Sequence, residues 1–495
     1  MTSTLPVILK AQQVNTLYFM EDVPVRHILN PSFEPVTDYY LSLPVIGLTQ
    51  FNIGNNSVSL KDVVYNVGGR TITFLDPQGD KNLFYNTLKP NTVVRTDLQT
   101  NLISFGFRHE SDYWTFTMTE KLLGTINLPK DLFRISLFGA QNILNNSFDA
   151  TGLQGDISAY TESAVGYATQ LDKKWRVGGK LKLLVGSANV SNHNNLVKLN
   201  IGIGQVQLEG NGSASYSGPV QLIPVNNSQS ISAVTPTTLG GWLKPSGLGA
   251  GFDIGCEYQL NKEIKLSAAL NDVGFIHWSA NALDYHSTAN YNFSGITLFN
   301  NNSTVGSFQD IYNQLVNRNV LSDTIVSALR KSLNNTSSNN SYITATTAKL
   351  NLGFEYNLIQ DKLNLGLLSY SQLFRFILTE ELTASMNSHP LHWLDASLSY
   401  SIVNGRFSTY GAGLGVKTGF IHWFVAADYI PFYKASLSLS DLGFKNSGIN
   451  IPIPYNSTTF NLSAGMNIVF DKMKPKSSRG LIHSKERNDC NCEWF

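Results

Sequence analysis

Long stretches of the chain alternate strictly between apolar residues and residues that are polar or small. In the clearest stretch, 348–358, the apolar positions are Ala348, Leu350, Leu352, Phe354, Tyr356 and Leu358. Successive side chains of a β-strand point to opposite faces, so this period predicts a strand with one apolar and one polar face. The same alternation recurs at 175–185, 248–260, 396–402, 410–416, 421–429 and 460–470.

The length of these segments separates two all-β architectures. A tilted strand needs about 9 to 11 residues to cross a bilayer, whereas strands of soluble sheets are commonly about five or six residues long. The polar face carries Gly, Ser and Asn with single charges, which is typical of a barrel lumen. We therefore predict a transmembrane antiparallel β-barrel with an even strand count near 14, with 12 or 16 as alternatives and a soluble β-sandwich as the competing interpretation.

Aromatic residues recur near the ends of the predicted strands. In a membrane barrel such residues form girdles at the two interfaces, whereas in a sandwich they would fill the core. The girdle candidates are Trp114, Tyr167, Trp175, Tyr258, Trp278, Tyr356, Trp393, Trp423 and Tyr429.

Short and long connections alternate along most of the chain. The short turns are 109–111, 172–174, 261–263, 360–362 and 404–405, and the long connections are at about 127–147, 190–247, 281–340 and 381–390. This alternation predicts short periplasmic turns on one rim and long extracellular loops on the other. It fails after 404–405, which indicates one miscounted strand or a strand pair hidden within 190–247 or 431–456.

Two segments have helical spacing instead. Apolar residues at 307–333 predict two short amphipathic helices inside the long extracellular insertion 281–340, and 130–144 is a further candidate helix. They are either a lid over the outer mouth or loops that pack on their own rim.

Composition excludes several other classes of protein. Charged residues make up 14% of the 495 residues, against about 25% in soluble chains. The apolar content of 42% argues against disorder, and the sequence has no apolar run long enough for a membrane-spanning helix. A net charge of +1 gives no electrostatic case for a nucleic-acid partner, and three cysteines are too few for a disulfide framework.

The sequence lacks the common motifs of hydrolases and of nucleotide-binding and dinucleotide-binding sites. No two of its nine His residues have the spacing of a metal-ligand pair on one helix or strand. We therefore predict no enzyme activity, no catalytic residue, no cofactor and no metal. The charged positions on the polar strand faces are expected to pair with one another or with a plug, and ion selectivity is the alternative role. These lumen-facing candidates are Lys180, Lys182, Asp253, Glu257, Lys349, Glu355, Asp395 and Asp428.

Both ends of the chain lie outside the strand pattern. The short apolar run before Lys10 predicts that residues 1–14 are the remnant of a signal peptide, with an ordinary cytoplasmic start as the alternative. The last strand is predicted to end at Phe470, within a barrel spanning 38–471. Residues 472–495 would then form a basic periplasmic tail, whose Cys490 and Cys492 have no assigned role.

Four segments carry a resemblance to a known group: MEDVPVRHILNPSFEP (20–35), the first strand YYLSLPVIGLTQFNIG (39–54), NDVGFIHWSANALDYHS (271–287) and FSTYGAGLGV (407–416). Over 15–471 the chain resembles Bacteroidota outer-membrane barrel proteins that are grouped as a domain of unknown function. These are distantly similar to long-chain fatty-acid transporter barrels and to barrel components of the gliding and secretion machinery. No functional residue transfers through this resemblance.

The similarity to fatty-acid transporters implies that residues 15–37 fold into the lumen as a hatch. Pro24, Pro31 and Pro35 suit that placement, because proline does not pair regularly in a sheet. The residues expected to meet the lumen wall are Glu21, Asp22, Arg26 and His27.

Together these features predict a plugged channel or transporter for small or hydrophobic solutes in the outer membrane. Its termini would both be periplasmic. Its partners would be outer-membrane lipid and proteins of an envelope complex, and not nucleic acid. The competing hypothesis is a non-transporting scaffold or anchor subunit of an outer-membrane surface or secretion complex.

Overall fold

The computed structural model describes residues 15–67, 70–138, 147–202, 205–224, 231–293, 333–360, 362–374, 377–403, 406–430, 434–438, 450–454 and 458–470. Strands dominate these residues. In the described chain, no helix has both the length and the apolar character needed to cross a membrane.

The strands, in chain order, are β1 Tyr39–Ser42, β2 Thr49–Asn55, β3 Val64–Val67, β4 Arg70–Thr73, β5 Asn91–His109, β6 Asp112–Pro129, β7 Ser147–Asp149, β8 Gln154–Gln170, β9 Trp175–Gly202, β10 Gln205–Ser217, β11 Gln221–Pro224, β12 Ile231–Val234, β13 Gly247–Gln259, β14 Ile264–Trp278, β15 Leu283–Phe293, β16 Leu333–Ser338, β17 Tyr342–Ala345, β18 Ala348–Ile359, β19 Leu363–Phe374, β20 Ile377–Leu391, β21 Leu394–Val403, β22 Arg406–Thr418, β23 Ile421–Ile430, β24 Lys434–Ser438, β25 Asn450–Pro454 and β26 Thr459–Phe470. The α-helices are α1 Leu60–Val63, α2 Lys81–Thr87, α3 Lys130–Phe138 and α4 Leu239–Trp242.

Fourteen antiparallel strands close into a barrel, which confirms the predicted fold class and strand count. The first of the fourteen consists of β1 and β2 together, and both pieces pair with β26 on one side and with β5 on the other. Tyr39, for example, lies opposite Phe470 and also opposite Phe107. The remaining barrel strands are β6, β8, β9, β13, β14 and β18–β23.

The first barrel strand is interrupted, although the sequence predicts one strand over 39–54. Ser42 pairs with Asn467 and Thr49 with Ala464, so six residues of this strand lie against two of β26. Val45 has a φ of 66°, a left-handed conformation that ends regular pairing. The interrupted part of the strand still forms backbone hydrogen bonds with both neighbouring strands. The Val45 N–H donates to Asn101 O on β5, and the Met466 N–H of β26 donates to Ile46 O.

The barrel has an apolar outer face and a polar inner face. On β18, Leu352 is 46% exposed on the outside, whereas its neighbour Asn351 is fully buried inside. Polar side chains therefore fill the lumen, and the outward apolar side chains form the surface that a bilayer would cover.

Substituting Leu352 by Arg tests this outer face. We expect a loss of about 2–4 kcal/mol in the free energy of unfolding in lipid, because the guanidinium would lie near mid-strand in hydrocarbon. The matched control is Leu171→Arg, since Leu171 is exposed beside the short turn between β8 and β9. Urea unfolding in liposomes measures both, and equal losses would show that the outer face around Leu352 is not in lipid.

The prediction of a long connection at 381–390 is wrong, because these residues belong to β20. Its outward positions include Leu382, Ala384 and Met386, while Glu381 and Thr383 are buried inside. Acidic and small residues weaken the apolar alternation there, so the sequence pattern hides a true barrel strand. This is the strand that was missing from the count.

The two segments suspected of hiding a barrel pair do contain strands, but these do not close the barrel. In 431–456, β24 and β25 form a separate two-stranded sheet. In 190–247, β10 pairs with the extended end of β9 and with β15, and β11 pairs only with β12. Such pairs extend or decorate one rim, and the number of barrel strands does not change.

With the strands counted correctly, each connection between barrel strands can be assigned to one of the two rims. The short-turn rim has six connections of two to four residues, which follow His109, Gln170, Gln259, Ile359, Leu391 and Thr418. The opposite rim carries the long connections. The short link between Val403 and Arg406, which the sequence pattern assigned to the short-turn rim, also belongs to this opposite rim.

Two of the predicted girdle aromatics are instead buried in the lumen. The indole N–H of Trp278 donates to Thr344 Oγ1 at 2.8 Å, and the Tyr429 hydroxyl donates to Glu381 Oε2 at 2.6 Å. Both aromatic groups thus satisfy polar atoms inside the barrel. By contrast Trp114, Tyr167, Trp175, Trp393 and Trp423 are exposed on the surface.

The predicted helices are described only in part. Helix α3 covers the first nine residues of the 130–144 segment. Residues 307–332, where the sequence predicts helices within the 281–340 insertion, lie outside the described residues, as do 1–14 and 471–495.

Candidate functional site

Residues 15–37, named here the lumen segment, lie inside the barrel, and most of their side chains are buried. Its regular secondary structure consists of two short 3-10 helices, Asn15–Phe19 and Pro24–Ile28. Pro24 occupies the start of the second helix, where its missing N–H costs no hydrogen bond. The segment joins β1 at the short-turn rim, since Tyr39 pairs with the last residue of β26.

Apolar side chains of the lumen segment form the main buried cluster of the described chain. Tyr18 and Phe19 pack edge to face with ring centroids 5.0 Å apart, and Tyr18 packs in the same way on Phe33. Met20, Val23 and other buried residues of the segment join wall residues such as Leu368 and Phe424 in this cluster. Burial of this apolar surface is the main favourable contribution to holding the segment in the lumen.

Lumen-facing glycines leave the space that the segment occupies. A Cβ on Gly366 would lie 2.5 Å from the ring of Phe19, and one on Gly178 would lie 2.3 Å from the carbonyl oxygen of Pro31. Any larger residue would displace the segment at these two positions. The small residues on the polar strand faces therefore accommodate a second layer of chain.

Charged residues of the lumen segment meet opposite charges on the wall. Lys265 forms a salt bridge with Glu21, and its Nζ lies 3.1 Å from Glu355 Oε1. Burial alone would raise the pKa of Glu21, but the positive charges of Lys265 and Arg26 outweigh it and lower that pKa to about 2. Glu21 is therefore ionised at neutral pH and held by Lys265.

Arg26 and His27 make contacts of a different kind. The Arg26 guanidinium donates to Tyr18 O at 3.1 Å and lies 4.1 Å from the centroid of the Phe33 ring. His27 Nε2 lies 2.6 Å from the Tyr40 hydroxyl on β1. Burial lowers the pKa of His27 well below its usual range, so this imidazole is neutral at pH 7.

The C-terminal part of the segment is tied to the short-turn rim. Glu34 accepts from Arg108 at 2.6 Å and lies 3.1 Å from the guanidinium of Arg176. Arg176 in turn lies 3.9 Å from Glu257. At the other end of the segment, Thr16 donates to Asp428 and Asn15 donates to Thr383 at 3.1 Å.

A second polar layer lies beside the segment, centred on Asp272 of β14. The Asp272 carboxylate accepts from Lys121 at 3.1 Å and Lys182 at 2.6 Å, and it lies 3.0 Å from Lys349 Nζ. Glu162 and Asp253 complete this group, which we name the Asp272 cluster: Lys121, Glu162, Lys182, Asp253, Asp272 and Lys349. Asp272 lies where the register of β13 and β14 shifts and has a φ of 57°, which turns its side chain among the three lysines.

All eight lumen-facing candidates are inside the barrel, but they divide among separate groups. Lys182, Asp253 and Lys349 join the Asp272 cluster, and Lys180 is buried close to it. Glu355, Glu257 and Asp428 contact the lumen segment or its partners, and Asp395 hydrogen-bonds His389.

Sequence reasoning missed Asp272, Lys121 and Glu162, because a register shift and pairing between distant strands bring them together. The signal that was present is an Asn-Asp pair at 271–272 inside an otherwise strand-like run.

Small cavities lie next to these polar layers. Two cavities beside the Asp272 cluster have volumes of about 30 and 10 Å³, enough for one or a few waters. A larger groove of about 480 Å³ lies on the outer face at the interruption of the first barrel strand. Its lining is mostly apolar and includes Val45, Ile46, Trp423 and Met466.

Comparison with known proteins gives one family and several distant structures. The model of a family described as "Family of unknown function (DUF5723)" matches residues 31–428, as the sequence resemblance implied. None of the curated proteins matches.

Similar solved structures include a Pseudomonas aeruginosa FadL homologue, with 11% identity over 89% of this chain and 92% of that one and a TM-score of 0.39. The Ralstonia pickettii toluene transporter TbuX is 9% identical over 91% of this chain and 94% of its own chain, with a TM-score of 0.41. The P. putida toluene transporter TodX is 9% identical over 90% of this chain and 94% of its own chain, with a TM-score of 0.36. These values are too low to say anything about function.

Proposed function

The chain belongs to the DUF5723 family, and we propose that it is an outer-membrane channel for small or hydrophobic solutes whose lumen is plugged by residues 15–37. The observation that supports this proposal is the position of the lumen segment, whose buried side chains pack against wall residues and which adds no strand to the sheet. Planar-bilayer conductance of the intact chain and of a chain without residues 15–37 tests it.

Placement in a membrane rests on the outer surface of the barrel. Large apolar side chains such as Leu181, Leu248 and Leu398 are more than half exposed there, which would be unfavourable in water. A closed barrel is also one of the two structures that satisfy every backbone hydrogen-bonding group in lipid.

We expect the native protein to fractionate with outer membranes and to need detergent for extraction. Its gel mobility should shift on boiling, because a folded barrel binds less detergent than the unfolded chain. Native protein that stays soluble without detergent would contradict the membrane placement.

The contacts of the lumen segment support a removable plug. The segment is joined to the wall covalently only through β1, and its polar contacts, such as the Glu21–Lys265 salt bridge, are ones that water or a solute can replace. The outer groove at Val45 and Ile46 supports hydrophobic solutes, since its lining would accept an apolar molecule from the surrounding lipid.

A second candidate function is a non-transporting scaffold in an envelope complex. The small cavities beside the Asp272 cluster favour it, because a barrel closed by paired charges needs no solute path. Co-purification of a stable protein partner, together with unchanged permeability after the plug is removed, would select the scaffold over the channel.

A further inference from the structure

One group of imidazole and carboxylate side chains joins the lumen segment to two wall strands. His389 on β20, Asp395 on β21 and Asp22 of the lumen segment each present a possible ligand atom, and these atoms all lie within 4.8 Å of one another. In a tetrahedral Zn²⁺ site, ligand atoms about 2.0–2.1 Å from the metal are about 3.3 Å apart. Small side-chain movements would therefore bring a His389 ring nitrogen and an Asp22 carboxylate oxygen within bonding distance of one ion.

The hydrogen bonding of His389 leaves one of its two ring nitrogens unused. His389 is only 8% exposed and its Nδ1 is hydrogen-bonded to Asp395, whereas its Nε2 is buried and has no hydrogen-bond partner among the described residues. A carboxylate on one ring nitrogen that leaves the other nitrogen available is the usual arrangement around a metal-bound histidine. A buried nitrogen with no partner is also costly, and a metal ion would remove that cost.

A second imidazole, that of His422 on β23, lies near Asp395. His422 is 2% exposed, and its Nδ1 has no hydrogen-bond partner among the described residues. Gly415 lies between them: a Cβ there would be 3.4 Å from His422 Nε2 and 3.5 Å from Asp395 Oδ2. The absence of a side chain at 415 therefore leaves space between these two residues.

We propose that Asp22, His389 Nε2 and His422 bind one Zn²⁺ ion that ties the lumen segment to the barrel wall, with Asp395 holding the His389 ring through its hydrogen bond to Nδ1. Imidazole together with carboxylate favours Zn²⁺ over Ca²⁺ and Mg²⁺, which prefer oxygen ligands alone. The inference needs Asp22 inside the barrel but does not depend on transport.

Zn²⁺ binding to the purified full-length chain in detergent, after chelator treatment, tests the proposal. The background carries Cys490→Ser and Cys492→Ser, because a Cys-x-Cys pair can bind Zn²⁺ by itself. We expect one Zn²⁺ per chain by titration calorimetry, with no comparable heat from Ca²⁺ or Mg²⁺. Asp22→Asn and His389→Gln should each weaken binding at least tenfold, and His422→Gln should weaken it several-fold.

The matched control is His286→Gln on β15, since His286 also lies next to a carboxylate, Asp284 at 3.1 Å, but is exposed. It should leave binding unchanged. The boiling-dependent gel shift shows which variants still form the barrel, and Asp22→Asn changes no wall residue if the strand variants fail to fold. Absence of Zn²⁺ binding, or binding that Asp22→Asn and His389→Gln leave intact, would overturn the proposal whatever the conductance result.

Discussion

Deleting residues 15–37, with a working export signal in place, should raise single-channel conductance by an order of magnitude or more while the barrel still assembles. The reason is steric, since the segment places Tyr18, Phe19 and Met20 in the lumen and its removal would free that space for water. Cells that carry the shortened protein should become more sensitive to small antibiotics that the intact barrel excludes.

A reversible lock provides the control for this deletion. Thr16 Oγ1 and Ser399 Oγ are 2.8 Å apart, so the pair Thr16→Cys and Ser399→Cys places two thiols close enough to be linked. The background replaces Cys256, Cys490 and Cys492 by Ser. We expect the oxidised lock to abolish solute uptake by the full-length chain, and a reductant to restore it.

Two results would count against the channel. An assembled barrel whose conductance is unchanged by the deletion would show that the segment does not close the path. Uptake that continues through the oxidised lock would show that solutes pass without displacing the segment.

Substituting Asp272 by Asn should lower the free energy of unfolding by about 3–5 kcal/mol, because it removes one partner from a buried charge network. Lys121, Lys182 and Lys349 would all lose the carboxylate that they share. Asn suits the test because it tolerates the left-handed φ of this position, so the change isolates the charge.

Urea unfolding followed by the gel shift measures this loss. Glu263→Gln is the matched control, since Glu263 is exposed in the short turn between β13 and β14, and it should change stability by about 0.5 kcal/mol or less. A loss below about 1 kcal/mol for Asp272→Asn would show that water in the adjacent 30 Å³ cavity solvates the lysines as well as the carboxylate does.

Strand position, the face of each side chain and the barrel architecture were determined by the sequence wherever the period of two is strong. On β18 a single stretch of eleven alternating residues assigned Leu352 and Phe354 to the outside and Asn351 and Glu355 to the inside, as the structure has them. This works because alternation is a local property, set by backbone geometry within one strand. It failed on β20, where Ala384 and the acidic residues weaken the apolar face.

Contacts between distant residues were decided only by the tertiary structure. The sequence indicated that lumen charges need partners, but it did not pair Glu21 with Lys265 or gather three lysines around Asp272. Nor did it bring His389, Asp395 and Asp22 together, since these residues lie on two strands and the lumen segment. Such pairs depend on barrel closure, on the register shift at Asp272 and on the path of residues 15–37 through the lumen, and none of these is encoded in the spacing of residues along one strand.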